Sequence, residues 1–226
     1  MSKGIEKIDV GGVNCYLLEA DDDFVLIDTG FPAKRMFLDG VLKKALNKPG
    51  EVPKKLKLII LTHGDSDHAG NCKFLRENYG ATVAMHFEDS MMVEEGDMTW
   101  NRKSKPDRMS FTFRLATLAF GKNSDFETFK PDIYIHDGQN LAEVGLSAQV
   151  IHLPGHSKGS IGVLTNDGDL FCGDLIYNFA GFSYIDNLDD FNESINKLKK
   201  LDINNFYPGH GKPFAKGYFN EKFINQ

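Results

Sequence analysis

Residues 56–71 read LKLIILTHGDSDHAGN, an apolar run that ends abruptly in a polar cluster. Leu56 to Leu61 has the length and continuity of a buried strand, and His63, Asp65, Asp67 and His68 follow it at once. A helix is expected from about Ala69 to Tyr79, closed by Gly80. The cluster therefore falls on a strand-to-helix loop. If the backbone stays extended there, positions 63, 65 and 67 project to one side and His68 points elsewhere, so that one short segment can face two metal ions.

Upstream, Ile5 to Asp28 reads as two or three strands, broken at Gly11-Gly12 and at Asp21 to Asp23. Pro32 suits a first helical turn, and Met36, Phe37, Val41, Leu42 and Ala45 recur at helical spacing until Asn47 and Pro49, which predicts a surface helix with one buried stripe. Downstream, strands are expected at Thr82 to Met85, Asp132 to Ile135, Val144 to Leu153, Ser160 to Thr165 and Leu170 to Cys172, with Asn166-Asp167-Gly168 as a hairpin turn. A helix near Leu188 to Leu201 and the pair Phe206-Tyr207 complete the series. This order fits an α/β fold with two sheets and outer helices better than a doubly wound parallel sheet. One domain is expected over residues 1–226, with a mostly helical insertion at about 87–130. Met91, Met92, Trp100, Met109, Phe111, Phe113, Leu115, Leu118 and Phe120 in that insertion read as core packing. The alternative is an apolar, acyl-accepting channel bordered by Met91, Met92, Trp100, Phe111 and Phe113.

Three later loops repeat the pattern of the first. Pro154-Gly155-His156, Gly173-Asp174 and Pro208-Gly209-His210 each follow a strand-like apolar run and carry a glycine, which lets the backbone turn sharply. Imidazole nitrogens and carboxylate oxygens are ligands for zinc, iron and manganese, and loops at strand ends can aim them at one point. A lone His or Asp would read as an incidental loop residue; four such loops read as a site. His86, His136 and His152 lack the glycine-flanked setting and read as ordinary satisfied histidines. Cys172 alternates with Asp174 and reads as a small buried thiol, with a place facing the site as the alternative.

The formal charge of -6 leaves no basic footprint for nucleic acid. Three cysteines suggest no disulfide framework, the start MSKGIEKIDVGG has no apolar leader core, and no run approaches the roughly 20 apolar residues of a membrane helix. A cytoplasmic protein acting on a small molecule is expected, with neither nucleic acid nor membrane as partner. The sequence carries no sign of oligomeric state.

In order and spacing, Asp28 in VLIDTG, His63 to His68, His156 in LPGHSKGS, Asp174 in FCGD and His210 in YPGHG resemble the five motifs of the metallo-β-lactamase superfamily, over nearly the whole chain. Asp65 departs from the pattern, standing where the second His of His-x-His-x-Asp-His is expected. The resemblance implies an αββα sandwich of two mixed β-sheets with outer helices. It also implies two divalent metal ions, one held by His63, Asp65 and His156, the other by Asp67, His68 and His210, with Asp174 bridging. Zinc is the first choice, with iron or manganese as alternatives because Asp65 makes the first site harder and more anionic. Cations sharing a water lower its pKa toward about 7 and polarise a carbonyl or phosphoryl oxygen. The expectation is a hydrolase of a small ester-like substrate, a lactone or thioester.

Asp67 either orients that water or serves only as a ligand. Asp28 is expected to accept a hydrogen bond behind a ligand histidine. Tyr177 falls where some lactonases of the family place a tyrosine that binds the developing oxyanion; packing is the other reading, and Tyr184 is a weaker candidate for the same role. Asn14 in VNCYLLE resembles a structural hydrogen-bonding residue of the family. Two rival functions stay open. The first loop also resembles the flavodiiron pattern His-x-Glu-x-Asp-His, which would require a separate electron donor because no flavin domain follows Gln226; the other rival is a non-catalytic metal-binding member.

Overall fold

Alternation along the early strands sorts their side chains onto two faces, and this sorting builds the layers. In β2 (Asn14–Ala20), Cys15 and Leu17 face one way while Tyr16, Leu18 and Ala20 face the other; in β3 (Asp23–Ile27), Phe24 and Leu26 oppose Val25 and Ile27. The first set joins Leu38, Leu42, Cys72 and Leu75 in a core between sheet and helices. The second set meets Val150, Ile161, Val163, Phe171 and Tyr207 between the two sheets. A third core packs Leu164, Leu170 and Phe206 against Phe191, Ile195, Leu198 and Phe219.

The computed structural model describes residues 4–114, 127–178 and 183–223. The remaining strands are β1 (Ile5–Asp9), β4 (Leu56–Ile60), β5 (Thr82–His86), β6 (Arg108–Met109), β7 (Ile133–Ile135), β8 (Ala148–His152), β9 (Ile161–Thr165), β10 (Asp169–Gly173), β11 (Tyr184–Ile185), β12 (Asn205–Pro208) and β13 (Phe214–Ala215). One mixed sheet runs β1-β2-β3-β4-β5-β7, parallel from β3 onward, and the other runs β13-β12-β10-β9-β8, antiparallel except between β10 and β12. With helices α1 (Arg35–Leu46) and α3 (Cys72–Tyr79) on one outer face and α5 (Leu188–Leu198) and α6 (Lys216–Phe223) on the other, the fold is the αββα sandwich. No helix among the described residues is long and apolar enough to cross a membrane.

Several local expectations shift. The buried stripe of α1 is Leu38, Leu42, Ala45 and Leu46, while Met36 and Phe37 are exposed. The strand expected over Val144 to Leu153 begins only at Ala148, because Ala142–Val144 forms a short 3-10 turn closed by Gly145 in the left-handed region. Within the stretch read as a helical insertion, the described residues hold a 3-10 turn (Phe87–Asp89), α4 (Ser90–Glu94), the short strand β6 paired with β11, and one helical turn at 111–114. Leu115, Leu118 and Phe120 lie outside the described residues.

The ends of the strands that carry the polar loops are stitched together by the backbone. Ile161 N donates to Thr62 O at 2.8 Å, Gly209 N to Gly173 O at 2.8 Å, and Asn14 N to Gly209 O at 2.7 Å. Between the sheets, Phe171 is fully buried with its ring 5.1 Å from Tyr16 and 4.8 Å from Tyr207. Phe171→Ala should cost about 3 to 5 kcal/mol of stability, read as a lower urea midpoint with an unchanged slope.

Candidate metal centre

The first loop turns helical earlier than its sequence suggests. Asp65 is extended, at φ -64 and ψ 144, and its carbonyl accepts from His68 N and Ala69 N, so α2 (Ser66–Ala69) begins directly after it. The alternating projection of positions 63, 65 and 67 therefore ends at Asp65, and Asp67 and His68 sit on a helical turn. The Asp65 side chain caps no backbone N–H, and its oxygens meet other side chains instead.

Hydrogen bonds outside the cluster decide which edge three of its four imidazoles present to it. Asp28 accepts from Thr62 N, from Thr62 Oγ1 and from His68 Nδ1, each at 2.8 Å. Since the Thr62 hydroxyl donates to Asp28, its oxygen accepts from His63 Nδ1 at 3.0 Å. His210 Nδ1 donates to Gly12 O at 2.7 Å. These three rings thus turn Nε2 inward, the arrangement that outer hydrogen bonds impose on metal-binding histidines. His63 Nε2 and Asp174 Oδ1 are buried and make no aligned hydrogen bond, as expected of atoms that serve an ion.

Ligand atoms of His63, Asp65 and His156 lie within 4.8 Å of one another, as do those of Asp67, His68 and His210, and those of His63, His68 and Asp174. Asp174 reaches both His68 Nε2 and His210 Nε2 at 3.3 Å. All seven side chains read as ligands from the sequence thus converge, and two of the groups match the two expected sites. Two glycines make room for this. Gly155 adopts φ +136 against the backbone of Phe191, and a Cβ on Gly209 would run into Asp174 Oδ1 and His68 Cε1.

A sequence profile of the metallo-beta-lactamase superfamily matches residues 8–210. This chain belongs to that superfamily. Among curated relatives, hydroxyacylglutathione hydrolase GloC of Haemophilus influenzae is 25% identical over 73% of this chain and 66% of its own length. A beta-lactamase-like protein 2 homolog of Caenorhabditis elegans is 26% identical over 91% of this chain and 58% of its own. The chain therefore spans less than two thirds of either relative. Among solved structures, BLEG-1 B3 metallo-beta-lactamase aligns with a TM-score of 0.71 at 21% identity over 96% of both chains. A metallo-beta-lactamase family protein, TTHA1429 from Thermus thermophilus, aligns at 0.69 and 25% identity over 99% of this chain and 79% of that one.

Within this superfamily fold, several residues that hold the site escaped the sequence reading. Asp89 is fully buried and accepts from Ser157 Oγ at 2.6 Å, Gly159 N at 2.7 Å and Gly64 N at 3.3 Å, tying the loop after His63 to the loop after His156. Asn71 donates to the carbonyls of Thr29, Gly30 and Phe31, locking the start of α3 to the end of β3. Arg102 pairs with Asp65. Asn71 lies inside the quoted motif, whereas Asp89 and Arg102 come from a region with no motif at all.

Of the expected partners, Asn14 donates to Pro208 O and Gly211 O, clamping the His210 loop. The Tyr177 hydroxyl donates to Asp174 Oδ2 at 3.0 Å, and Tyr184 lies with its ring 5.3 Å from His156. Met92 is fully buried and so cannot border a channel, while Phe113 packs 5.0 Å from Tyr184. Cys172 Sγ points to Tyr207 O within the core. His86 and His152 stack on each other at 4.3 Å.

Burial opposes charge throughout the cluster, yet Asp174, Asp67 and Asp28 hold His68 well above the ordinary imidazole value. Against the same burial, Asp174 and Asp67 raise His210 to about 10. Both rings therefore carry protons at neutral pH when no metal competes, and metal uptake must expel protons and tighten as pH rises toward about 10. Zinc titration calorimetry near neutral pH should give heats that depend on the ionisation enthalpy of the buffer. Equal heats in all buffers would contradict the proton release.

Proposed function

We propose that this chain is a dinuclear metal-dependent hydrolase that cleaves a small ester-like substrate, a lactone or a thioester. The observation that carries this reading is the pair of three-residue ligand groups with Asp174 lying against both His68 and His210. Bound there, two divalent cations, zinc first, supply a water of lowered pKa and polarise the carbonyl oxygen of the substrate.

The side chains of the site divide the remaining work. His63, His68 and His210 present Nε2 because Thr62, Asp28 and Gly12 occupy Nδ1. Asp67, with 23% of its side chain exposed against 5% for Asp174, is the carboxylate placed to orient an attacking water. Tyr177 keeps its proton, since burial first and then Asp174 push its pKa well up, and that proton can turn from Asp174 to a developing oxyanion. Phe113 and Tyr184 give the His156 side an apolar flank. The hydroxyacylglutathione hydrolase among the relatives favours an acyl substrate, and the charge of -6 disfavours nucleic acid. An acid at position 65 also supports an iron redox centre, and the identity of the bound metal separates the two readings.

The test is metal analysis of the purified protein together with an activity panel of lactones, thioesters, phosphodiesters and β-lactams. Hydrolysis of a lactone or thioester is expected, and it should vanish on complete metal removal and in His68→Ala. Bound iron with oxygen consumption would instead select the redox reading, and metal binding without turnover the non-catalytic one. On an active substrate, Tyr177→Phe should lower kcat by up to about 100-fold while KM moves far less; an unchanged kcat would reduce Tyr177 to packing.

A further inference from the structure

Arg102 enters the first ligand group from a loop that contains none of the five motifs. Its guanidinium faces Asp65 with both terminal nitrogens: Nη2 donates to Oδ2 at 2.9 Å, and Nη1 forms an ion pair with Oδ1 at 2.9 Å while donating to Met98 O at 3.4 Å. This is the planar fork that arginine offers a carboxylate and lysine does not. Only 12% of the side chain is exposed, Nε makes no hydrogen bond, and the guanidinium lies 5.3 Å over the ring of Tyr184.

The flanking residues fix its direction. Asn101 sits in the left-handed region at φ 57 and gives its amide to Glu88 O and Glu88 Oε2, while Lys103 N donates to both oxygens of Asp186. The arginine is therefore held inward by its neighbours on both sides. A cation buried beside ligands for another cation is strongly unfavourable unless a carboxylate cancels it, and a carboxylate in place of a neutral imidazole adds a charge that needs cancelling. Each residue supplies what the other lacks.

We propose that Asp65 and Arg102 form one electrostatic unit in which the guanidinium cancels the charge of Asp65 and meets both its oxygens, leaving the remaining lone pair of Oδ2 as a single donor beside His63 and His156, as a neutral imidazole would be. The distances agree: Oδ2 lies 3.0 Å from His156 Nε2 and 3.4 Å from His63 Nε2, while Oδ1 is turned to Arg102. Arg102 is a positioning residue, acting on the metal through Asp65. The inference rests on the metal-site reading proposed above.

A double-mutant cycle in the full chain tests it, with Asp65→His, Arg102→Gln and their combination. Zinc bound per chain is measured against graded chelator, and folding of the metal-free forms is followed by circular dichroism melts. Asp65→His alone strands the guanidinium among imidazoles and should lose one zinc; adding Arg102→Gln should restore it, with affinity at that site higher than in the single variant by about tenfold or more. If Asp65→His alone does not fold, a folded double variant carries the same answer. Zinc held by Asp65→His as tightly as by the native chain overturns the proposal, as does a double variant no better than the single in binding or folding. Failure of the native chain itself to bind zinc, iron or manganese would remove the hydrolase reading along with it.

Discussion

A single buried carboxylate organises the centre. Asp28 accepts three hydrogen bonds, from Thr62 N, Thr62 Oγ1 and His68 Nδ1, and through Thr62 it also orients His63. It directly follows β3, at φ 60, a conformation uncommon for a residue with a Cβ and tolerated only where the surroundings determine it. Its own N–H donates to Ile60 O, so the same residue joins the ends of β3 and β4. Two imidazoles in different ligand groups thus take their orientation from one anion that does not itself belong to either group.

Around that anchor, the remaining loops are tied down by groups that lie outside the ligand set. Asn14 and Tyr16 both donate to Pro208 O, holding the turn before His210, and Asp89 ties the turns after His63 and His156. Such outer bonds place ligands before an ion arrives, which limits the ordering that metal binding must accomplish. Asp28, Asp65, Asp67 and Asp174 face His63, His68, His156 and His210, and Arg102 is the cation that meets the acid added at position 65.

Superfamily membership defines the fold and the ligand chemistry without choosing a substrate. Between Phe87 and Arg114, Asp89, Arg102 and Phe113 each touch the polar loops or their neighbours. Asp89 and Arg102 in that segment tie down the centre, and Phe113 packs on Tyr184 beside it.

The local pattern carried most of the architecture. The apolar runs of β2, β3 and β4 and the hairpin before β10 are written in contiguous residues, and so were legible; the seven side chains that converge were legible as candidates because each follows a strand and most carry an adjacent glycine. The sequence by itself therefore determined the layered fold and which imidazoles and carboxylates are candidates for the centre. Only the tertiary structure decided that Asp67 and His68 lie on a helical turn, that Met92 is core, and that Asp89 and Arg102 reach the site. Arg102 lies 37 residues from Asp65 in a stretch with no regular period, and no local rule pairs a cation with an acid at that distance. What pairs them is the penalty for burying either charge alone, and that penalty arises only once the chain has folded.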